Sequence, residues 1–406
     1  MNIEPISRDL MRQMNRSLVL NTIRLDKLIS RAQISRKTGL SAATISGLVS
    51  ALLDEGLILE QEEGNSSGGR RPVLLSLNPS GGFVMGIKLM EEHLIAVMTN
   101  LEANVVDSKN VPFQGNTPEE VIRAISEGVE LLLAKHDIPR SKLFGVGIGL
   151  AGIVDQETGI LRLSPIFGWQ GLPFGRMVQE NLQVPVYIDN DVNTVTLTEK
   201  WFGVAQNIDH FLTVTVGRGI GLGIVSNGRL CRGQGGAGEF GHVVVDPDGE
   251  RCSCGKRGCL ETFVADPALL KQAKAEASLK DKVNSIDDLR VLAEEGNPQV
   301  RAIYARAGEI LGRWMANLIN IFDPQMVILT GEGVKARDLF VENMLEAVQA
   351  HKMPGIGLDT EIHIDELEDL VWARGAAGLV LRAVFESPIY KQAHEPQAKI
   401  LVRVQS

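Results

Sequence analysis

The stretch GAGEFGHVVVDPDGERCSCGKRGCLE, residues 236–261, holds three of the chain's four cysteines. Cys252, Cys254 and Cys259 fall within eight residues, and His242 lies ten residues before the first. Three thiols and an imidazole suit tetrahedral zinc. Four protein ligands leave no open position, so the set reads as one structural site per chain. Gly255 and Gly258 permit the sharp turns that bring such ligands together. A disulfide is the competing reading, but Cys-x-Cys spacing is poor for one and a reducing compartment disfavours it. Cys231 stands alone and is expected to be a buried apolar side chain.

A length of 406 residues predicts two or three domains with cores large enough to need no disulfide staples. The sequence has neither a signal-peptide pattern nor a run of about 18 apolar residues, so a soluble cytoplasmic protein without membrane insertion is expected. The net charge of -9 does not itself point to nucleic acid, but its distribution is uneven. Residues 1–75 carry ten Lys/Arg against eight Asp/Glu; the remainder carries 31 against 42. A slightly basic N-terminal segment precedes an acidic body.

That segment has the spacing of a helix-turn-helix. Arg16–Leu25 has an apolar helical face, and Ala32–Thr38 reads as a short helix ended by Gly39. Ser41 can cap the next helix, whose stripe is Ile45, Leu48, Val49, Leu52 and Leu53. The start of that helix offers Ser41, Ala42, Thr44 and Ser46, small residues suited to base edges or phosphates. Leu57–Glu60 and Pro72–Leu77 read as two strands of a wing. Between them, GGRR places Arg70 and Arg71 beside flexible glycines, a combination that can enter a narrow minor groove. A plain polar hairpin is the competing reading. Few basic residues are present, so paired half-sites bound by a dimer are expected.

From Gly82 onward, short apolar runs alternate with helical stretches, which is α/β organisation with buried strands. In IDNDVN, Asn190 and Asp191 follow a strand and precede a helix. A carboxylate there can take a proton from a sugar hydroxyl, and an amide can bind another; a helix cap is the simpler reading. In VGRGIGLG, glycines recur at alternate positions, as in a phosphate loop or a tight hairpin.

Taken in order, SRAQISRKTGLSAATIS, SSGGRRPVLLSLNP, LAGIVDQETG, IDNDVN, GEFGH and CSCGKRGCLE resemble the motifs of the ROK family (repressors, open reading frames, kinases), in particular its xylose/glucose-type repressors. The resemblance runs from about residue 15 to 385. It implies an α/β, actin/hexokinase-like ATPase fold of two ribonuclease H-like lobes behind an N-terminal winged helix-turn-helix domain. The expected boundaries are 1–78 for the DNA-binding domain, 79–191 with 375–406 for the first lobe, and 192–374 for the second, which carries the zinc site and a dimerisation surface. The resemblance also implies that Asn190, Asp191, Glu239, His242 and Glu261 hold sugar hydroxyls. Asp191 matches the base of the family's kinases. His242 would then serve zinc through one ring nitrogen and face the sugar with the other.

Family kinases open their first lobe with Asp-x-Gly-Gly-Thr. Here GIKLMEEHLIAV puts Lys88 at the aspartate and Met90, Glu91 and Glu92 at the glycines and threonine. Arg218 stands at a threonine position and Glu332 at a glycine near the nucleotide. Ile166 replaces a sugar-contacting asparagine. These changes predict that no ATP is bound and that no catalytic residue remains, Asp191 being vestigial. The expected function is a sugar-responsive repressor of carbohydrate genes. Its partners would be operator DNA, a monosaccharide or derivative, and a second copy of the chain, as a homodimer or tetramer. The alternative is an ATP-dependent sugar kinase carrying a DNA-binding domain; regulation by a protein partner is a third reading. Residues 387–406 match no recognised pattern.

Overall fold

The computed structural model describes residues 7–62, 73–366 and 369–385. Its first elements are set by capping. Helix α1 (Arg8–Asp26) starts behind Ser7, whose hydroxyl accepts from the Leu10 amide. After β1 (Ile29–Ser30), Ser30 and Gln33 form a capping box for α2 (Arg31–Thr38). Gly39 ends that helix in the left-handed region at φ 72°, which a side chain would disfavour. Ser41 then caps α3 (Ala42–Asp54) by accepting from the Thr44 amide. The wing is the antiparallel pair β2 (Ile58–Glu62) and β3 (Val73–Leu77), with β1 on the other edge of β3. The helical stripes bury Val19, Ile23, Ile34, Ile45, Val49 and Leu52 in one core with Leu75. Three helices and a wing thus form as the spacing predicts. Arg70 and Arg71 lie outside the described residues.

The first lobe follows as β4 (Phe83–Leu89), β5 (His93–Asn100), β6 (Val105–Pro112), α4 (Pro118–Lys135), β7 (Leu143–Leu150), β8 (Ile153–Asp155), β9 (Ile160–Ser164), β10 (Trp169–Leu172), α5 (Phe174–Leu182) and β11 (Val186–Asn190). Its main sheet has the order β11-β7-β4-β5-β6. Strands β4, β5 and β6 are antiparallel neighbours, whereas β4, β7 and β11 run parallel. Parallel strands need crossovers, which α4 and α5 supply. Val121, Ile125, Val129 and Val178 of these helices close the core against Met85, Ile87 and Ile148. Strands β8, β9 and β10 form a small separate sheet.

Helix α6 (Asp191–Phe202) leads into the second lobe: β12 (Phe211–Val216), β13 (Ile220–Ser226), β14 (Arg229–Leu230), α7 (Glu261–Val264), α8 (Asp266–Ala275), α9 (Ile286–Glu294), α10 (Pro298–Phe322), β15 (Met326–Thr330), α11 (Arg337–His351) and β16 (Glu361–Ile364). Its sheet runs β14-β13-β12-β15-β16. The long α10 is capped by Asp323 in the left-handed region, just before Pro324. The closing helix α12 (Asp369–Phe385) returns to the first lobe. It lies so close that a Cβ on Gly86 or Gly147 would collide with the carbonyls of Ala373 or Ala376. A Cβ on Gly375 would sit 2.7 Å from the Thr194 carbonyl oxygen, so α12 also lies directly on α6. Ala377, Val380, Leu381 and Phe385 of α12 complete the core of the DNA-binding domain.

Candidate functional site

The cysteine-rich loop folds into a tight knot. The Val245 amide donates to Gly258, Leu260 to Val243, and Cys252 to Lys256. Gly258 has φ 64°, and a Cβ there would collide with the Asp246 carbonyl, so only glycine fits. Gly255 makes the second turn at φ 91°. The ligand atoms of His242, Cys252, Cys254 and Cys259 all lie within 4.8 Å of one another. Cys254 and Cys259 Sγ are 3.6 Å apart, and Cys252 Sγ is 3.5 Å from His242 Nδ1. Two thiolates about 2.3 Å from a tetrahedral zinc would be about 3.8 Å apart, so the cluster fits a metal of that kind. All four cysteines are free thiols, and none forms a disulfide. Burial, and a 2.9 Å hydrogen bond donated to Glu261, push the Cys252 thiol well above its ordinary pKa.

Cys231 corrects an expectation: it is exposed. It follows the two-residue edge strand β14, where the chain leaves the edge of the sheet.

The knot delivers His242 to the cleft. The Lys256 ammonium donates to its carbonyl at 2.7 Å, fixing the backbone. Nδ1 faces the thiols and also lies 3.5 Å from Glu261, while Nε2 points toward Glu239 at 3.8 Å. Burial, together with the neighbouring Asp191 and Glu261 carboxylates, raises the Glu239 pKa against the opposing pull of His242. His242 thus neighbours both Glu239 and Glu261, and Asp191 is close enough to act on the Glu239 carboxyl.

The fifth residue expected to hold a sugar, Asn190, ends β11 and caps α6. Its amide oxygen accepts from Val192 and Asn193, and its Nδ2 donates to the Gly152 carbonyl at 3.1 Å. The helix-cap reading is thus realised for this residue. Asp191 is the first residue of α6, and the Lys88 ammonium forms an ion pair with it. Both side chains are largely shielded, at 11 % and 13 % exposed. Lys88 Nζ also lies 4.3 Å from the centre of the Trp372 ring, a cation–π contact.

Charged side chains also meet at turns of the two lobes. Glu91, in the β4–β5 turn of the first lobe, pairs with Arg218, in the β12–β13 turn of the second, at 2.8 Å. The Glu332 carboxylate lies against Gly217. Asp266 is half-buried, and desolvation with the nearby Glu332 and Asp287 raises its pKa to about 6. Ile166 packs on the first-lobe core.

A further cross-lobe pair escaped the sequence reading. Asp189, 1 % exposed, meets Arg232 of the second lobe at 2.7 Å and also accepts from Asn193 Nδ2 at 2.9 Å. Beside it, Arg162 of β9 donates to the Gln234 carbonyl at 2.7 Å. The only available signal was the buried-strand pattern, which makes an ionised Asp189 need a partner without naming it.

In the N-terminal domain, Ser41, Ala42 and Ser46 are exposed on the first turns of α3, and Thr44 is half-buried. The Ser41 and Thr44 hydroxyls are 2.8 Å apart. Among the described residues, no helix is long and apolar enough to cross a membrane.

Residues 84–383 match the ROK family, and residues 15–58 match a winged helix-turn-helix DNA-binding domain. The xylose repressor of Caldicellulosiruptor bescii is 34% identical over 393 residues, covering 94% of this chain and 98% of that protein. The crystal structure of a ROK family transcriptional regulator, a homolog of the E. coli MLC protein, aligns with TM-score 0.83 at 26% identity, covering 94% of this chain and 99% of that one. A ROK family glucokinase from Streptomyces griseus, in complex with glucose and AMPPNP, aligns with TM-score 0.64 at 27% identity, covering 73% of this chain and 99% of that one. The kinase-like likeness therefore spans the body, and the regulator-like likeness spans body and N-terminal domain together. The chain belongs to the ROK family, with a winged helix-turn-helix DNA-binding domain preceding its two-lobed α/β body.

Proposed function

We propose that this protein is a sugar-responsive transcriptional repressor whose body binds a monosaccharide or derivative without phosphorylating it. The observation that carries the reading is the Lys88–Asp191 ion pair. In a sugar kinase of this fold, a carboxylate at Asp191 would accept the proton of the attacked hydroxyl. Here one of its oxygens is engaged by the Lys88 ammonium, and the resemblance puts Lys88 where a kinase's phosphate loop begins. If a triphosphate lay as the resemblance to the kinases implies, Glu91, paired with Arg218, and Glu332, against Gly217, would put two carboxylates in its path. Phosphoryl transfer needs cations and backbone amides at that place.

The remaining groups suit hydroxyl recognition. Asp191, Glu239 and Glu261 can accept hydrogen bonds, Asn190 can donate through its second amide hydrogen, and His242 Nε2 lies toward Glu239. Zinc, when bound by His242, Cys252, Cys254 and Cys259, would neutralise the thiolates and fix the imidazole tautomer. The chain's own contribution is the knot that aims that ring. The N-terminal domain would contact operator DNA through Ser41, Ala42, Thr44 and Ser46, with Arg70 and Arg71 following the minor groove, two copies acting as a homodimer. Sugar and operator would then be linked reciprocally: if sugar weakens DNA binding, DNA weakens sugar binding by the same factor.

A coupled ADP-release assay with ATP, magnesium and a monosaccharide panel tests the non-catalytic half of this reading. The expected result is no turnover above the rate without protein. Turnover abolished by Asp191→Asn would establish a kinase instead.

A further inference from the structure

Two helices leave the cleft and end on the same residue of the DNA-binding domain. Helix α6 starts at Asp191 and ends with Trp201 and Phe202. Helix α12 carries Trp372 near its start and Phe385 at its end. At the cleft, Lys88 bridges the two, paired to Asp191 and seated over Trp372. At the far end a second cation bridges them. The Arg24 guanidinium of α1 lies 4.7 Å from the Trp201 ring centre and 5.5 Å from that of Phe385. Its Nε donates to Asn21 on its own helix at 3.0 Å. Among the described residues no carboxylate pairs with Arg24, so the two rings are its inter-domain partners. Burial lowers its pKa to about 10, which leaves it charged at neutral pH.

The helices between these points can act as rods. At about 1.5 Å per residue, α6 is ~18 Å long and Trp372 to Phe385 spans ~20 Å. They touch along their length, at Gly375 on Thr194 and with Arg374 5.8 Å from the Phe202 ring centre. A cation stacked on two rings from two helices is sensitive to their relative position, because the attraction requires it over the ring face. Displacing Lys88 from either partner at the cleft changes what holds the helix starts together.

We propose that Arg24 is the coupling contact through which the DNA-binding domain reads the relative position of α6 and α12. The proposal rests on the reading of the cleft as the effector site, and it assigns Arg24 to coupling, not to either binding surface. Its test measures affinity for an operator fragment selected from genomic DNA, with and without saturating D-xylose or D-glucose. Wild type is compared with Arg24→Met and with Trp201→Leu, which removes the same contact from the other side. The cleft is also perturbed without sugar, by Lys88→Met in wild-type and Arg24→Met backgrounds.

The expected result is that both contact variants bind operator and sugar separately within about threefold of wild type, while the linkage between them falls to less than about twofold. Lys88→Met should shift operator affinity only where Arg24 is present. Full linkage in Arg24→Met and Trp201→Leu would overturn the proposal. A wild type whose operator affinity responds to neither sugars nor Lys88→Met would overturn the effector-site reading, and the coupling contact with it.

Discussion

The Lys88 ammonium is held between the Asp191 carboxylate and the face of Trp372, so a first-lobe strand residue closes over the start of α6. Removing one member of a shielded pair leaves the other uncompensated, typically costing about 3–5 kcal/mol. Lys88→Met is therefore expected to lower the melting temperature clearly. Lys88→Met with Asp191→Asn should recover most of the loss, since neither charge remains. A single variant that melts with wild type would show that the pair adds nothing to stability.

The thiol–imidazole cluster predicts one zinc per chain by elemental analysis. Cys259→Ser should lose that metal and melt lower, because metal affinity is folding free energy for the loop that holds it. A chelator should reproduce the shift in wild type. Protein that purifies metal-free at the same melting temperature would contradict the assignment.

Asp266 predicts a pH signature. Its folded pKa of about 6 lies above the ordinary 3.8, so the folded state holds the proton more tightly than the unfolded one. The resulting advantage is complete below about 3.8 and is lost as pH rises through about 6. Asp266→Asn should thus raise stability at pH 7.5, by on the order of 2 kcal/mol, and change little near pH 4. Equal effects at both pH values would rule out a half-buried, raised carboxyl.

The Ser41 hydroxyl caps α3 and also stands at the proposed DNA surface. Ser41→Ala should cost about 1 kcal/mol of stability and weaken operator binding. Ser41→Asp retains the cap but adds a negative charge facing phosphate; it should preserve stability while weakening binding further. Unchanged DNA affinity in both would remove the start of α3 from the interface.

Much of this site was legible because it is local. The three thiols and the imidazole of the cluster lie within eighteen residues, and their chemistry is distinctive. The helix caps at Ser30 and Ser41, the Gly39 stop and the buried stripe of α3 follow equally from short-range pattern. The resemblance marks Lys88, Glu91 and Arg218 as departures from the kinase pattern, but it does not name their partners. Lys88 and Asp191 are 103 residues apart, and Glu91 and Arg218 are 127 apart. The first pairing follows from the β11-β7-β4 strand order and the second from how two lobes close, and no local periodicity encodes either. Nothing in the sequence singles out Arg24 on α1; only the convergence of α6 and α12 gives it two aromatic partners. Cys231 was misread because a lone cysteine is usually buried, while this one follows an edge strand two residues long.

The central claim is that a sugar changes DNA binding with no nucleotide involved. The most direct measurement is operator affinity across a monosaccharide panel in the absence of ATP. At least one sugar is expected to change that affinity by about fivefold or more, with Asp191→Asn and Glu239→Gln weakening the response. Affinity unchanged by every sugar, or changed only when ATP is supplied, would contradict the account.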